Sequence, residues 1–435
     1  MQFVSTRKNK EPISFSQAIS RCICPDGGYY VPAYSENLRQ WIYYLNDKTS
    51  FSSIAGSLTT ALMKEEFSPI ICETIATKAF NFSPEFRQID DSLYKLSLYT
   101  GPTGSHKDFG VSFLLAYLEY TLLLKRERAT VVAISDGEIG SCLAHAMQGK
   151  KQLTALILYS KGTLRGFKEE DCVWNGGNIY PVEVNGSMED CSHMVRELFS
   201  RQDIVEKYNL TLANTFNIGR LLPQTFFYTY AFSRLKDKVF GDIFYALAPG
   251  NYSNLVAGLY AWKFSLPVNG FITECTPALT VDTGGKAQIL DSLIPLEQRQ
   301  PADPGNPSNL ERLEEIFNTH PAMLRGLVFP VPVSEEERTA ACKELFMKYG
   351  ILANKETSGS YAAAKKRTES FSSPDNTVVL VSRDHPAYSR DEIRHVCGEA
   401  PTVPDFLQEL LIPITPQKTM DCTVDAVLSV LQELE

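Results

Sequence analysis

The stretch that decides the fold runs from Ala129 to Ser160 and reads ATVVAISDGEIGSCLAHAMQGKKQLTALILYS. It begins with a short apolar, β-branched run and turns through two glycines. It continues in a helical pattern from Ser141 to Lys150 and ends in a second apolar run that starts at Leu153. Short continuous apolar runs that alternate with helical stretches are typical of parallel strands covered on both faces. The stretch therefore predicts an α/β fold.

Apolar runs of the same kind recur later in the chain. One of them leads through Pro249-Gly250 into the helical stretch Asn254 to Phe264, which repeats the order of strand, turn and helix. The polar stretch Pro295 to Asn309 is expected to be largely loop, and Thr357 to Ser373 a loop or a surface helix. The further apolar runs are Val239 to Ala248, Pro267 to Thr273 and Thr377 to Ser382.

Length and composition limit the function before any motif is considered. The 435 residues suggest roughly two to four structural units, with enough buried surface to fold without a metal or disulfide. With 42 basic and 51 acidic side chains the net charge is −9, which disfavours a nucleic acid as partner. An anionic small substrate is not excluded, because a local site can be positive on an acidic protein.

Neither the cysteines nor the apolar segments indicate export or a membrane. The ten cysteines form no C-x-x-C pair, and the close pair Cys22 and Cys24 has no second pair to complete a zinc site. The N-terminus lacks a signal-peptide core. The most apolar run, Phe109 to Leu124, contains Gly110 and Glu119 and is too short for a membrane span. We therefore expect a cytoplasmic protein with no metal site and no membrane association.

Two turns that contain glycines follow predicted strands and could seat an anion. They are Ser135 to Gly140 and Pro249 to Asn254, and each lies between a strand and a helix. Successive backbone N–H groups at such a turn, together with the helix N-terminus, can bind a phosphate at the carboxyl ends of the strands. Glycine after a strand most often serves plain turn geometry, so either turn alone is a weak indication of a site.

A third segment, Gly101 to Gly110 (GPTGSHKDFG), places Lys107 at the entry of an apolar helix. A lysine is electrostatically unfavourable at a helix N-terminus, so a purely structural role would not explain this position. Burial and positive surroundings lower the pKa of a lysine and free its amine as a nucleophile or base. A solvated lysine beside Asp108 is the alternative. A reactive lysine, an anion seat and an α/β crevice together indicate pyridoxal phosphate as the cofactor.

The segment Gly101 to Phe109 resembles the G-P-T-x-x-x-K-D-F motif of threonine synthases, in which the lysine bonds covalently to pyridoxal phosphate. The resemblance extends over nearly the whole chain, and its motifs follow in the order of that family. The further motifs are Ser5-Thr6-Arg7, Pro25 to Pro32, Asn214 to Arg220, Pro249 to Gly258, Gly305 to Asn309 and His385-Pro386-Ala387.

The resemblance implies a fold-type-II pyridoxal-phosphate enzyme with two open, mostly parallel α/β sheet domains plus an N-terminal subdomain. The expected divisions are residues 1–90 for the N-terminal subdomain, 91–205 for a smaller α/β domain and 206–435 for a larger one. The smaller domain would carry Lys107 and the glycine turn at 136–140, and the larger one the cofactor-phosphate loop. The implied reaction converts O-phospho-L-homoserine and water to L-threonine and phosphate by γ-elimination and β-addition of water. The expected partner is therefore a small phosphorylated amino acid.

The resemblance also assigns roles to individual residues. Lys107 is the expected catalytic residue, which bonds to the cofactor and transfers protons. The pyridine nitrogen of the cofactor would face Arg383 in an alignment without a gap, or Ser382 after a shift of one residue. The other cofactor-binding residues are expected to be Gly250, Asn251, Tyr252, Ser253 and Asn254. The substrate-binding residues are expected to be Ser135, Asp136, Gly137, Glu138, Asn214, Thr215, Asn217 and Arg220.

The sequence departs from the family mainly where the substrate is expected. The family's S-G-D-T-G loop reads D-G-E-I-G here, so Asp136 and Ile139 replace two hydroxyl side chains. A carboxylate aimed at an anionic substrate would repel it. Three interpretations stay open: a divergent threonine synthase, a paralogue that acts on another amino acid by elimination, replacement or dehydration, and a non-catalytic homologue that binds pyridoxal phosphate. Retention of Lys107 and the phosphate loop argues against the last.

Overall fold

The computed structural model describes residues 1–167, 177–318, 320–370 and 375–434. Cys172 and the end of the polar stretch Thr357 to Ser373 lie outside these residues. The strands are β1 (Gln2–Ser5), β2 (Ile13–Ser14), β3 (Tyr30–Pro32), β4 (Glu85–Asp90), β5 (Leu93–Ser97), β6 (Ala129–Ser135), β7 (Leu153–Ser160), β8 (Ile179–Asn185), β9 (Leu210–Leu212), β10 (Ile243–Ala246), β11 (Gly270–Glu274), β12 (Leu279–Val281), β13 (Ala287–Ile289), β14 (Val328–Val331), β15 (Thr377–Ser382) and β16 (Thr419–Asp421).

The helices connect these strands and cover the sheets. None of them, in the described part of the chain, is long and apolar enough to cross a membrane. The α-helices are α1 (Phe15–Arg21), α2 (Arg39–Tyr44), α3 (Phe51–Met63), α4 (Pro69–Ala79), α5 (Lys107–Lys125), α6 (Glu138–Ala146), α7 (Met188–Ser200), α8 (Gln202–Lys207), α9 (Ile218–Leu221), α10 (Thr225–Leu235), α11 (Ser253–Lys263), α12 (Leu310–Ile316), α13 (Leu324–Leu327), α14 (Glu335–Tyr349), α15 (Lys355–Thr368), α16 (Arg390–Cys397), α17 (Asp405–Gln408) and α18 (Val424–Glu433).

Two sheets form the framework of the fold. The first has the order β16-β8-β7-β6-β9, with parallel neighbours throughout. The second has the order β14-β11-β10-β15-β5-β4, in which β4 runs antiparallel to β5 and the other pairs are parallel. A small antiparallel sheet, β2-β1-β3, is formed near the N-terminus. The predicted α/β fold with two open, mostly parallel sheets is confirmed.

The central strands of the two large sheets are mostly apolar, because both faces of each sheet are covered there. In β6, Val131 packs into the main core, whereas its neighbour Val132 packs into a second core with residues of α7. In β10, Tyr245 belongs to the main core and Phe244 to a third core. Successive side chains of a strand point to opposite faces, so a strand covered on both sides needs apolar residues at every position.

Three predicted strands, β6, β7 and β15, have the predicted bounds. The strand predicted at Val239 to Ala248 is shorter, because pairing between β10 and β15 begins at Ile243 and Thr377. The strand predicted at Pro267 to Thr273 begins later, at Gly270, where pairing with β10 starts. In both cases pairing with the neighbouring strand, and not the apolar run alone, determines where the strand begins.

Helix α15 fills most of the polar stretch Thr357 to Ser373, and its first half is not a surface helix. Residues 357–364 are buried, and their small side chains let the helix pack against β11 and β15. Gly359 lies so close to Glu274 that a side chain at this position would clash with the carboxylate. The composition of the stretch is therefore explained by close packing.

The large sheets draw strands from across the predicted domain boundaries. Strand β5 lies within residues 91–205 but pairs with β15. Strand β9 lies beyond residue 205 but pairs with β6, and β16, near the C-terminus, pairs with β8. The division into 1–90, 91–205 and 206–435 stays a prediction, and these three pairings cross its boundaries.

Candidate active site

A cavity of about 570 Å³ lies at the carboxyl ends of the parallel strands. Segments that follow four strands contribute to it: Lys107 after β5, Glu138 after β6, Gly250 after β10 and Arg383 after β15. Open α/β sheets bind their ligands at this edge. The predicted site residues that line the cavity are Lys107, Glu138, Asn214, Thr215, Arg220, Gly250, Asn251, Ser253 and Arg383.

Lys107 is the first residue of α5, and its ammonium forms an ion pair with the carboxylate of Glu138, the first residue of α6. Burial disfavours the charged amine, but the negative charges of Glu138 and Asp384 outweigh this effect and raise the pKa of Lys107. The lysine is therefore protonated at neutral pH. Glu138 is the group placed to take this proton when the amine reacts.

The loop before Lys107 is fixed by hydrogen bonds on both sides. Asp108 is buried and accepts from the backbone N–H of Thr103 (2.9 Å) and from the Thr103 hydroxyl (2.8 Å). Burial raises the pKa of Asp108 to about 6, and the two donors of Thr103 oppose this shift. Gly104, with φ +66°, accepts from the backbone N–H of His385 (2.8 Å). The loop is thus tied to the segment that follows β15.

Arg220 is a buried cation with unpaired N–H groups in the described part of the chain. It is 3 % exposed and lines the cavity, and its Nε and Nη1 atoms have no hydrogen-bond acceptor among the described residues. Burial lowers the pKa of Arg220 to about 10, and the nearby acidic groups, Asp108 among them, oppose this shift. A buried guanidinium with free N–H groups is suited to bind a phosphate or carboxylate from a ligand.

The turn from Pro249 to Asn254 supplies a second anion-binding element. Gly250 (φ +47°) and Tyr252 (φ +64°) both adopt the left-handed region, and α11 begins directly after them. Any side chain at Gly250 would clash with the guanidinium of Arg383. The Asn251 amide donates to the hydroxyl of Thr215 (2.8 Å), which connects this turn to the loop before α9. Gly250, Asn251 and Ser253 thus line the cavity at the N-terminus of α11, where an anion is favoured.

Arg383 and Ser382 differ in their surroundings although they are adjacent in the chain. The Arg383 guanidinium lines the cavity and pairs with the carboxylate of Glu356 in the first turn of α15 (2.5 Å). Burial disfavours the charge of Arg383, but the negative charges of Glu356, Asp384 and Glu138 together outweigh burial and raise the pKa of Arg383. Ser382 does not line the cavity, and its hydroxyl is hydrogen-bonded to that of Thr357 (2.9 Å).

Residues 68–383 match the family described as "Pyridoxal-phosphate dependent enzyme". The chain belongs to the pyridoxal-phosphate-dependent enzymes. In addition, residues 2–80 match the family described as "Threonine synthase N terminus". The resemblance to threonine synthases and the choice of pyridoxal phosphate as cofactor are confirmed.

Individual relatives agree with this family over nearly the whole chain. Threonine synthase from Haemophilus influenzae is 25% identical over 412 residues, which cover 94% of each chain. That from Escherichia coli is 25% identical over 417 residues, with the same coverage of both chains. Among solved structures, threonine synthase from Escherichia coli superposes with a TM-score of 0.81 at 23% identity, and both chains are covered to 100%. A structure described as PLP-bound threonine synthase from Brucella melitensis gives 0.79 at 22% identity, covering 100% of this chain and 99% of the other. These structures establish the shared fold.

The cavity of this pyridoxal-phosphate-dependent enzyme fits its cofactor. Lys107 would supply the amine, and the turn at Gly250 would supply a seat for the cofactor phosphate. The Oδ1 atom of Asn254 is buried without a hydrogen-bond donor in the described ranges, while its Nδ2 donates to Gln224 (2.7 Å). Asn254 does not line the cavity, whereas Arg220 does, and the unused N–H groups of Arg220 are of the kind that a polar ligand completes.

Seven of the predicted residues do not line the cavity: Ser135, Asp136, Gly137, Asn217, Tyr252, Asn254 and Ser382. The Ser135 hydroxyl accepts from the backbone N–H groups of Gly137 (2.9 Å) and Gly140 (3.0 Å), so it shapes the glycine turn. Asn217 caps α9, and its side-chain amide donates hydrogen bonds to the backbone carbonyls of Ile19 and Leu212. Asp136 is exposed to solvent, so the expected repulsion of an anionic substrate has no basis in its position.

Three residues that contribute charge to the cavity were missed from the predicted site. Asp384 follows Arg383 directly, and Lys355 and Glu356 begin α15. One of them had a signal in the sequence, because Asp384 comes two residues after a predicted apolar strand and so lies at the ligand-binding edge of the sheet. No pattern in the sequence indicated that the start of α15 contributes to the cavity, since its residues are typical of a surface segment.

Proposed function

We propose that this chain is a threonine synthase, which converts O-phospho-L-homoserine and water to L-threonine and phosphate. The observation that carries the proposal is the pair of separate anion-binding elements in one cavity, the turn at Gly250 and the buried guanidinium of Arg220. A phosphorylated substrate and a phosphorylated cofactor require two such elements. The relatives that match 94% of the chain bear the name threonine synthase, which supports the proposal and does not favour the two alternatives.

Some of the residues that line the cavity would bind the cofactor, and others would bind the substrate. Lys107 would bond to the cofactor, and Gly250, Asn251 and Ser253, at the N-terminus of α11, would hold its phosphate. Of the two candidates for the pyridine nitrogen, we favour Arg383, because it lines the cavity and Ser382 does not. When bound, pyridoxal phosphate withdraws electrons from the carbon skeleton of the amino acid, which makes its Cα and Cβ protons removable.

The side chains of the cavity would then guide the reaction. Glu138 accepts the proton that Lys107 must lose, and the free amine of Lys107 takes the proton from Cα of the substrate. Arg220 binds the substrate phosphate and holds it as the Cγ–O bond breaks. Asn214 and Thr215 also line the cavity and would contact the amino acid.

The proposal is tested with the purified protein. It should absorb near the visible edge, and Lys107→Ala should abolish this band, while Lys161→Ala, at an exposed lysine, should keep it. The wild type should release phosphate from O-phospho-L-homoserine with threonine as the product. Failure with this substrate, together with turnover of serine or cysteine derivatives, would favour the paralogue. A colourless protein that does not take up pyridoxal phosphate would favour the non-catalytic homologue.

The proposed function also predicts where the protein is located in the cell and which molecules it binds. A cytoplasmic location suits an enzyme of amino-acid biosynthesis, and the substrate would be a small phosphorylated amino acid. Neither a nucleic acid nor a membrane takes part in this reaction. Cell fractionation that places the protein in the cytosol would support the location.

A further inference from the structure

His106 shares the cavity with Lys107 and is held by an aspartate. It is 8 % exposed and lines the cavity, and its Nδ1 atom lies 3.2 Å from Oδ1 of Asp384. The same oxygen accepts from the hydroxyl of Ser105 (2.5 Å). The backbone N–H of His106 donates to the carbonyl of Arg383 (2.9 Å). The imidazole is therefore fixed in position by both its ring and its backbone.

The carboxylate determines which nitrogen carries the proton. Asp384 accepts from Nδ1–H, so Nε2 is left as the acceptor of the neutral ring. Burial lowers the pKa of His106 to about 4, and Asp384 opposes this shift while Arg383 and Lys107 add to it. Burial disfavours the charged form of Asp384, but His106, Lys107 and Arg383 outweigh burial and lower its pKa. Near neutral pH the pair is a neutral imidazole beside a carboxylate.

The other acid–base groups that line the cavity are already engaged. Glu138 is paired with Lys107, and Glu356 with Arg383. The hydroxyl of Tyr388 donates to the carbonyl of Thr103 (2.6 Å), and burial raises its pKa. Among the described residues of the cavity, Nε2 of His106 is thus the neutral nitrogen base that no hydrogen bond uses.

The proposed reaction needs a base besides Lys107. Lys107 exchanges protons with the carbon atoms of the substrate, and the water that adds to Cβ must lose a proton in the same cavity. We propose that His106, oriented by Asp384, is the base that deprotonates this water. This inference rests on the proposed function. It makes His106 a catalytic residue and Asp384 a positioning residue.

The step balances in atoms and electrons. The O–H bond of water breaks and its proton moves to Nε2, while the oxygen forms a bond to Cβ. Loss of the Cβ proton and of phosphate from Cγ leaves a Cβ=Cγ bond, and a proton from Lys107 added at Cγ shifts this bond to Cα=Cβ. When water adds to Cβ, the electron pair of the Cα=Cβ bond moves to Cα, which then takes a second proton from Lys107. The imidazolium is stabilised by the Asp384 carboxylate and releases its proton to solvent.

The test compares His106→Gln and His106→Ala with the wild type. Loss of a general base is expected to lower kcat for threonine formation by about 100-fold or more, with KM and the visible absorbance band nearly unchanged. Added imidazole should restore part of the activity of His106→Ala, which a merely structural role would not allow. Asp384→Asn should lower kcat without a response to imidazole. His193→Gln, at an exposed histidine on α7, is the matched control and should behave as the wild type.

The outcomes separate this inference from the proposed function. A wild type that forms no threonine overturns both. An active wild type with His106 variants that keep kcat within about twofold overturns this inference alone. The same holds if the variants lose the visible band, since His106 would then hold the cofactor, or if imidazole fails to restore activity.

Discussion

Lys107 and Glu138 form an ion pair across the cavity, although 31 positions separate them in the chain. Each is the first residue of its helix, and the two helices follow strands of different sheets. The carboxylate raises the pKa of the lysine and stabilises its charged form. The pair therefore sets how readily the amine becomes reactive.

Glu138→Gln is expected to lower the pKa of Lys107, because it removes the negative charge that outweighs burial. Each pKa unit gives about a tenfold larger fraction of neutral amine at neutral pH. The cofactor-free variant should therefore bind pyridoxal phosphate faster at pH 7, followed by visible absorbance, while its turnover falls. Glu127→Gln, at an exposed carboxylate, should show the wild-type rate. An unchanged pH dependence of binding in Glu138→Gln would contradict the role of the ion pair.

Gly250→Ala is expected to weaken pyridoxal-phosphate binding by about tenfold or more. The methyl group would clash with the guanidinium of Arg383 and disturb the anion seat, besides straining a backbone at φ +47°. Gly285→Ala is the matched control, since Gly285 has φ +73° but no atom within 4 Å of an added Cβ. Titration with the cofactor should show a defect in the first variant only. Equal affinities would mean that the turn does not hold the phosphate.

Arg383→Ser is expected to change the absorbance spectrum of the bound cofactor and its dependence on pH. A guanidinium and a hydroxyl influence the protonation of a pyridine nitrogen differently, and Arg383 is the residue that lines the cavity. Ser382→Ala should leave the spectrum unchanged, because its hydroxyl faces Thr357. The reverse pattern would assign the pyridine nitrogen to Ser382.

Arg312→Met is expected to destabilise the protein by about 3 kcal/mol or more. The guanidinium is fully buried and donates to the backbone carbonyls of Tyr30, Thr215 and Phe216 at 3.2, 2.5 and 2.8 Å. Methionine fills much of the volume but leaves these carbonyls without a donor. Arg325→Met should change the free energy of unfolding by less than about 0.5 kcal/mol, since Arg325 is half exposed and contacts Asp282 at 3.5 Å. Urea denaturation compares the two, and equal losses would refute the prediction.

His106 should make the stability of the protein depend on pH. Its pKa is about 4 in the folded state and about 6.5 when unfolded, so the unfolded state binds more protons between these values. The free energy of unfolding should therefore decrease as the pH falls, by about 2 kcal/mol between pH 7 and pH 5 through this group alone. In His106→Gln this contribution disappears, so the difference between wild type and variant changes by that amount. His193→Gln should keep the wild-type slope.

Much of the fold could be predicted from the chain because its signals are local. The bounds of β6, β7 and β15 follow from apolar runs that end at polar or glycine-containing turns. The ends of β10 and β11 could not be predicted, since they depend on where the neighbouring strand begins. The first half of α15 was mistaken for a surface segment because small residues are compatible with solvent and also with close packing.

The amino-acid sequence by itself determined the α/β class and the family and predicted Lys107 and the turn at Gly250 as site residues, because each rests on patterns within short segments of the chain. Tertiary structure alone decided which polar residues meet in the cavity. It placed Asp384 beside His106, buried Arg220 with N–H groups that no described residue pairs, and directed Asp136 to solvent. The physical reason is that the electrostatics of a site depend on burial and on partners from distant segments, which no local pattern of residues encodes.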